Sequence, residues 1–149
     1  MVNHNDAKVA SFLTWFENEL FVGSWVNGAN GVLNRYDLTN PVEPRLVATM
    51  SIPEKIQGVT FWKNNMEERT TMYLSQGYQT EVGALLCYEY TPENTDYTLT
   101  LGKYCLPEGI EQIQATTHGM YLLFESAAKA YRDMVNVPND QVYLVRMPE

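Results

Sequence analysis

A short apolar segment recurs along this chain at intervals of about fifty residues. Its copies are 20–25, 72–77 and 120–125, and their first residues lie 52 and 48 positions apart. Each copy follows a short apolar run and a turn. A second landmark keeps the same spacing, because Tyr36 and Tyr88 also lie 52 positions apart. A chain with such a period is expected to fold as a series of similar small units.

Runs of four to eight residues rich in β-branched and aromatic side chains alternate with clusters of Gly, Pro, Asn and Asp, a pattern that predicts strands. The segment 126–140 is predicted to be an insertion with at most one helical turn. The predicted strands are 9–15, 19–25, 31–38 and 45–52 in the first unit, 56–62, 70–77, 84–90 and 98–106 in the second, and 111–116, 120–125 and 141–147 in the third.

Units of roughly 40–50 residues built from short strands are typical of β-propeller blades. The sequence therefore predicts an all-β, β-propeller-like segment over 1–149, with about three four-stranded antiparallel blades near 8–53, 55–107 and 109–149. Three blades do not close a ring, because propellers have roughly four to eight. We expect a partial propeller that is completed by a missing N-terminal half or by a second copy, or that stays open with exposed edges.

Composition narrows the classes of partner. The 149 residues are 45% apolar and 12% aromatic, which is enough for a sizeable core. The net charge is −8 and the basic residues are scattered, which argues against nucleic acid and anionic membrane surfaces. No apolar run approaches the roughly 18 residues of a membrane span, and the first residues do not resemble a signal peptide. The expected partner is an unknown small molecule or protein.

The two cysteines lie on neighbouring predicted strands. A turn centred near residue 96 predicts Cys87 opposite Cys105, whereas a turn centred between residues 94 and 95 predicts Cys87 opposite Gly102. The sequence has no CxxC motif and only two histidines, His4 and His118, which excludes the usual Cys/His zinc site. We therefore expect no metal and no cofactor.

Several segments resemble the C-terminal half of a group of uncharacterised, mostly secreted bacterial β-propeller proteins. They are ASF at 10–12, ELFVGSW at 19–25, IQGVTF at 56–61, YLSQGY at 73–78 and LFESAAKAYR at 123–132. The resemblance extends over about 8–146 and implies a propeller fold and an extracellular location. Members begin with a secretion signal and an N-terminal set of blades, neither of which is recognisable here. The resemblance implies no catalytic residue.

Polar residues recur at the start of the first strand of each unit, which lines the central channel of a propeller. These channel candidates are Ser11, Gln57, Glu111 and Gln112. The functional interpretation is a ligand site in the channel. The structural alternative is that these side chains hydrogen-bond neighbouring blades, since buried polar groups need partners in any fold.

A second group of polar residues follows the second strands: Gln76, Tyr78, Glu125, Ser126, Lys129, Tyr131 and Arg132. Here Lys129 or Arg132 would hold an anionic group and Glu125 would act as acceptor or base. Alternatively, Glu125 forms a structural ion pair with Arg132. The sequence favours a non-catalytic module that binds a ligand or protein at one rim. The other possibility is a hydrolase or lyase with Glu111, Glu125 and Arg132 at the channel mouth, although no catalytic motif selects a reaction.

Overall fold

A computed structural model describes residues 10–64, 67–100 and 102–147, and within them the chain forms eleven strands and no helix. No helix that could cross a membrane therefore occurs in these ranges. The strands are β1 Phe12–Phe16, β2 Glu19–Gly23, β3 Gly31–Asp37, β4 Arg45–Ile52, β5 Ile56–Asn64, β6 Arg69–Gln76, β7 Val82–Tyr90, β8 Gly102–Glu108, β9 Ile110–Thr116, β10 Gly119–Phe124 and β11 Val142–Val145. The predicted all-β class is confirmed.

The strands form three antiparallel sheets, each of which follows chain order. Sheet one is β1-β2-β3-β4, sheet two is β5-β6-β7-β8, and sheet three is β9-β10-β11. The first strand of sheet two, β5, contacts the first strand of each other sheet, β1 and β9. Sheet two therefore lies between the other two sheets, and the three first strands lie side by side.

The first hairpin shows how local sequence sets the register. Glu17 and Asn18 form a two-residue turn with φ angles of 47° and 66°, which is the left-handed conformation that matches the twist of a tight hairpin. As a result Phe16 lies opposite Glu19 and Thr14 lies opposite Phe21. This register turns Thr14 and Phe21 toward sheet two, where both are buried.

A single apolar core joins sheets one and two. The Phe21 ring lies 4.5 Å from the Phe61 ring and 5.9 Å from the Tyr90 ring. Arg35 is buried beside them, and its Nη1 donates a 2.9 Å hydrogen bond to the Tyr90 hydroxyl. Glu19 Oε1 lies 3.6 Å from the Arg35 Nε. The buried charge is thus held between a carboxylate and a phenol from different sheets.

The core of sheet three is smaller. Its buried residues are Ile110, Ile113, Met120, Leu122 and Phe124, with Tyr73, Leu85 and Leu106 of sheet two packed against them. A polar contact adds to it, because the Ala115 amide donates to the Thr60 hydroxyl at 2.9 Å. The outer strand β11 is exposed along its whole length. Sheet three is therefore bound to sheet two mainly through β9 and β10.

The loop before β8 differs from the prediction, which began a strand at residue 98. Tyr97 is almost fully buried and packs on Tyr88 and Tyr90. Its amide donates to the Ser51 carbonyl at 2.8 Å, and the Ser51 amide donates to the Thr95 carbonyl at 2.8 Å. Burial of this large side chain draws the loop onto β4, so that β8 is described from Gly102 onward.

Two further points were open in the sequence. Cys87 lies opposite Gly102, which matches the turn centred between residues 94 and 95, and Cys105 lies opposite Ala84. Both cysteines are free thiols. The insertion at 126–140 forms successive turns rather than a helix, although one helical-type bond links the Arg132 amide to the Ala128 carbonyl at 3.0 Å.

Candidate functional site

Two first strands carry a β-bulge at corresponding places. In β5, Ile56 lies opposite Gln76 and Gly58 lies opposite Ser75, which leaves Gln57 without an opposing residue. In β9 the same shift leaves Glu111 without an opposing residue. A bulge bends its strand and changes the direction of a side chain, and bulges are frequent beside binding sites. Gln57 and Glu111 lie 54 residues apart, close to the period of the sequence.

These two bulges meet at a cleft that all three first strands line. We call it the inner cleft; it has a volume of about 360 Å³. Its lining residues are Ala10, Ser11, Phe12, Leu13, Gln57, Glu111 and Gln112. The four channel candidates from the sequence therefore line one cavity.

A second cavity shares Gln57 and Glu111 with the inner cleft. We call it the rim pocket; it has a volume of about 210 Å³. It is lined by Trp25, Gln57, Tyr78, Gln79, Glu111, Glu125 and Tyr131. Aromatic, carboxylate and amide side chains thus surround a space that can hold a small molecule.

Both carboxylates of the rim pocket have a raised pKa. Burial raises the pKa of Glu111 above its ordinary value, and the negative charge of Glu125 raises it further. Burial also raises the pKa of Glu125. Neither carboxylate has an ion-pair partner among the residues that the structure describes. Both groups are therefore available as hydrogen-bond acceptors, and they disfavour an anionic ligand.

Two polar atoms beside these cavities are buried without a hydrogen-bond partner in the described part of the chain: Trp25 Nε1 and Gln112 Oε1. The Gln112 side chain lies against Gly58, where a Cβ atom would overlap its Oε1. Gly58 thus gives the amide room to sit next to β5. A donor without a partner and an acceptor without a partner are unusual in a folded protein.

Two aromatic rings form one wall of the rim pocket, and an ion pair lies near them. The Trp25 and Tyr78 ring centroids lie 5.1 Å apart and are tilted by 37°. The Lys55 Nζ lies 5.9 Å from the Tyr78 ring centroid and 2.9 Å from Glu81 Oε2. The hydrogen bond from Lys55 to Glu81 raises the pKa of Lys55. The ammonium is thereby engaged by Glu81 and the ring rather than by the pocket carboxylates.

Three predicted site residues lie elsewhere. The Gln76 side chain donates to the Glu54 carbonyl at 3.0 Å and ties β6 to the turn before β5. Ser126 is fully buried, and its hydroxyl accepts a 2.9 Å hydrogen bond from the Asn139 amide. Arg132 lines a separate cleft of about 450 Å³ together with Ala127, Asp133, Pro138 and Asp140. The first two are structural anchors, and Arg132 forms no ion pair with Glu125.

Sequence reasoning did not select two residues of the rim pocket. Trp25 ends the first copy of the repeated segment, where it was not selected as a site residue. Gln79 has a φ of 48°, so its side chain is directed by a turn conformation rather than by a strand. Tyr78 was selected because it follows the second strand of its sheet. Trp25 follows the second strand of sheet one in the same way, so the same criterion would have selected it.

Neither a protein-family model nor a curated protein sequence matches this chain. In the described ranges, no three His, Cys, Asp or Glu side chains come together as a metal-binding group would require.

Proposed function

We propose that this protein is a β-propeller-like binding module whose rim pocket takes a small ligand rich in hydrogen-bond donors and without negative charge. The observation that carries the proposal is the pair Glu111 and Glu125, which are partly buried, raised in pKa and without an ion-pair partner in the described residues. Acceptors of this kind favour hydroxyl, amine or ammonium groups.

The remaining walls of the pocket fit the same class of ligand. Trp25 and Tyr78 offer ring faces that pack on the apolar face of a sugar ring or on an organic cation. Gln57 adds an amide that both donates and accepts. The volume of about 210 Å³ lies below that of a pocket for a drug-sized ligand, so the ligand is expected to be small. Polyhydroxylated compounds and small organic cations are therefore the two ligand groups to test.

The propeller part of the proposal is supported by the arrangement of the sheets. Each sheet follows chain order, and β1, β5 and β9 lie side by side around the inner cleft. Propeller blades place their first strands around a central channel in the same way. Three of the segments that resemble secreted bacterial propeller proteins, 19–25, 56–61 and 73–78, lie mainly on β2, β5 and β6. We accordingly propose that the three sheets have the fold of the C-terminal blades of such proteins.

Thermal-shift measurements with neutral sugars, small organic cations and small organic acids test the binding proposal. We expect sugars or cations to raise the unfolding midpoint and to change the tryptophan fluorescence of the protein, and acids to do neither. Glu125→Gln removes the charge at similar volume and is expected to weaken binding several-fold. Glu43→Gln, at an exposed position outside both cavities, is the control. The proposal fails if no compound shifts the midpoint or if Glu43→Gln weakens binding as much.

A hydrolase or lyase is the second candidate, and the two neighbouring carboxylates favour it. A carboxyl group whose pKa is raised can donate a proton while a second carboxylate stays ionised. In this reaction class Glu111 would be the proton donor, because both burial and Glu125 raise its pKa. Turnover of a bound sugar that is lost in both Glu111→Gln and Glu125→Gln would favour an enzyme. Binding without turnover favours the module.

A further inference from the structure

The interface between sheets one and two and the interface between sheets two and three use the same face of the later sheet. In sheet two, Val59 pairs with Leu74 and Phe61 pairs with Met72, and this face is buried against sheet one. In sheet three, the face that carries Ile113, Met120 and Leu122 is buried against sheet two. The first and second strands of these sheets thus present one apolar face toward the preceding sheet.

Sheet one has an equivalent apolar face, and no described residue of another sheet packs on it. Strands β1 and β2 pair Leu13 with Val22 and Trp15 with Leu20. In the alignment of the repeated segment, these pairs correspond to the two pairs of sheet two. Leu13 is 60% exposed and Trp15 is 55% exposed, whereas their counterparts Val59 and Phe61 are 0% and 7% exposed. Large apolar residues at positions that are buried in an equivalent sheet indicate a contact surface.

Sheet three is open on its opposite face. In sheets one and two, the middle residue of the second strand contacts the next sheet along the chain. Phe21 packs on Phe61 of sheet two, and Tyr73 packs on the core of sheet three. The equivalent residue of β10 is Tyr121, which is exposed. Its neighbours on that face are exposed as well: Leu123, Val142 and Leu144. One molecule therefore displays both halves of the contact that joins its own sheets.

We propose that a second copy of this chain covers both faces, with sheet three of each copy packed on sheet one of the other. The contact continues the existing stacking, and Trp15 would meet the partner's Tyr121 as Phe61 meets Phe21. Two copies related by a two-fold axis satisfy both faces at once, since each contact then occurs twice. Six sheets lie within the range of closed rings, and the inner cleft would be enclosed by six first strands.

Light scattering after size exclusion tests this proposal. The unmodified chain is expected at twice its mass of 17.1 kDa. Trp15→Lys and Tyr121→Glu should each halve the measured mass, because each places a charge in both contacts. The double variant Trp15→Lys with Tyr121→Glu should recover the larger mass, since opposite charges then face each other. Leu99→Glu is the control, because Leu99 is exposed but lies on neither face.

Circular dichroism and the unfolding midpoint establish that each variant is folded. A monomeric unmodified chain at its highest soluble concentration overturns the proposal. A dimer that survives both single substitutions also overturns it. So does a double variant that remains monomeric while folded, because opposite charges at the contact should restore association.

Discussion

The interface between sheets one and two differs in kind from the interface between sheets two and three. The first buries an aromatic cluster and an arginine that is bonded across the sheets. The second buries a smaller, mainly aliphatic group and includes a hydrogen bond from a backbone amide to a threonine hydroxyl. Sheet three also ends in the exposed β11. Stability is therefore concentrated in sheets one and two, while the rim pocket depends partly on the less firmly packed sheet three.

Substitutions in the aromatic cluster should lower stability the most. Phe21→Ala should lower the free energy of unfolding by about 3–5 kcal/mol, because it leaves a cavity beside Phe61 and Tyr90. Chemical denaturation measures the loss. Leu99→Ala, at an exposed position, is the control and should change stability little. A loss below about 1 kcal/mol for Phe21→Ala would contradict the claim that stability is concentrated in sheets one and two.

A matched pair of methionines compares the interfaces directly. Met72 and Met120 occupy corresponding positions in the repeated segment, and both are at most 1% exposed. Met→Ala in a core costs about 2–5 kcal/mol. We expect Met72→Ala at the upper end and Met120→Ala at the lower end, because the smaller cluster can relax into the space. Equal losses in denaturation experiments would contradict the proposed difference between the interfaces.

Two tyrosine hydroxyls provide a smaller test. Tyr90→Phe removes the acceptor of the buried Arg35 and should cost about 1.5–3 kcal/mol. Tyr143→Phe removes a 2.7 Å hydrogen bond from the Tyr143 hydroxyl to Asn139 Oδ1 in sheet three, and should cost about 0.5–1.5 kcal/mol. Unfolding midpoints measured on both variants give the order. The reverse order would show that the polar contacts of sheet three are the stronger ones.

Substitution of Glu111 in the rim pocket should change stability the least. A raised pKa means that folded Glu111 binds its proton more tightly than the unfolded chain does. Its contribution to stability is therefore complete below the ordinary glutamate pKa of about 4.3 and is lost as the pH rises through the raised value.

Glu111→Gln should accordingly raise the unfolding midpoint by a few degrees at about pH 7, and this gain should shrink toward about pH 4. Scanning fluorimetry across this range measures the difference between the two proteins. Glu43→Gln serves as the exposed control. A gain that grows on acidification would have the wrong sign for a buried, like-charged carboxylate.

The strands were predictable because turn residues delimit them. The turn at Glu17 and Asn18 and the three groups of strands follow from sequence spacing alone. Tyr97 was not predictable as a buried residue, because its burial depends on β4 of another sheet. Residues 98–100, which were predicted to begin a strand, therefore belong to the loop that Tyr97 anchors.

The candidate site was predictable by position but not by geometry. Periodicity selected Gln57 and Glu111, whereas their bulges arise from the pairing of each first strand with its neighbour. Trp25 joins the rim pocket only because sheets one and two pack together. Arg132 follows the same second strand as Glu125 in sequence, yet the turns of the insertion direct it into another cleft.

The loop that carries Tyr97 couples the unfolding of sheets one and two. It belongs to sheet two in sequence, but its backbone bonds to Ser51 at the outer edge of sheet one. Sheet one therefore cannot detach without also releasing this loop. The amides of β4 and β7 should exchange with solvent in one cooperative step, as a single foldon, while β11 exchanges through local fraying.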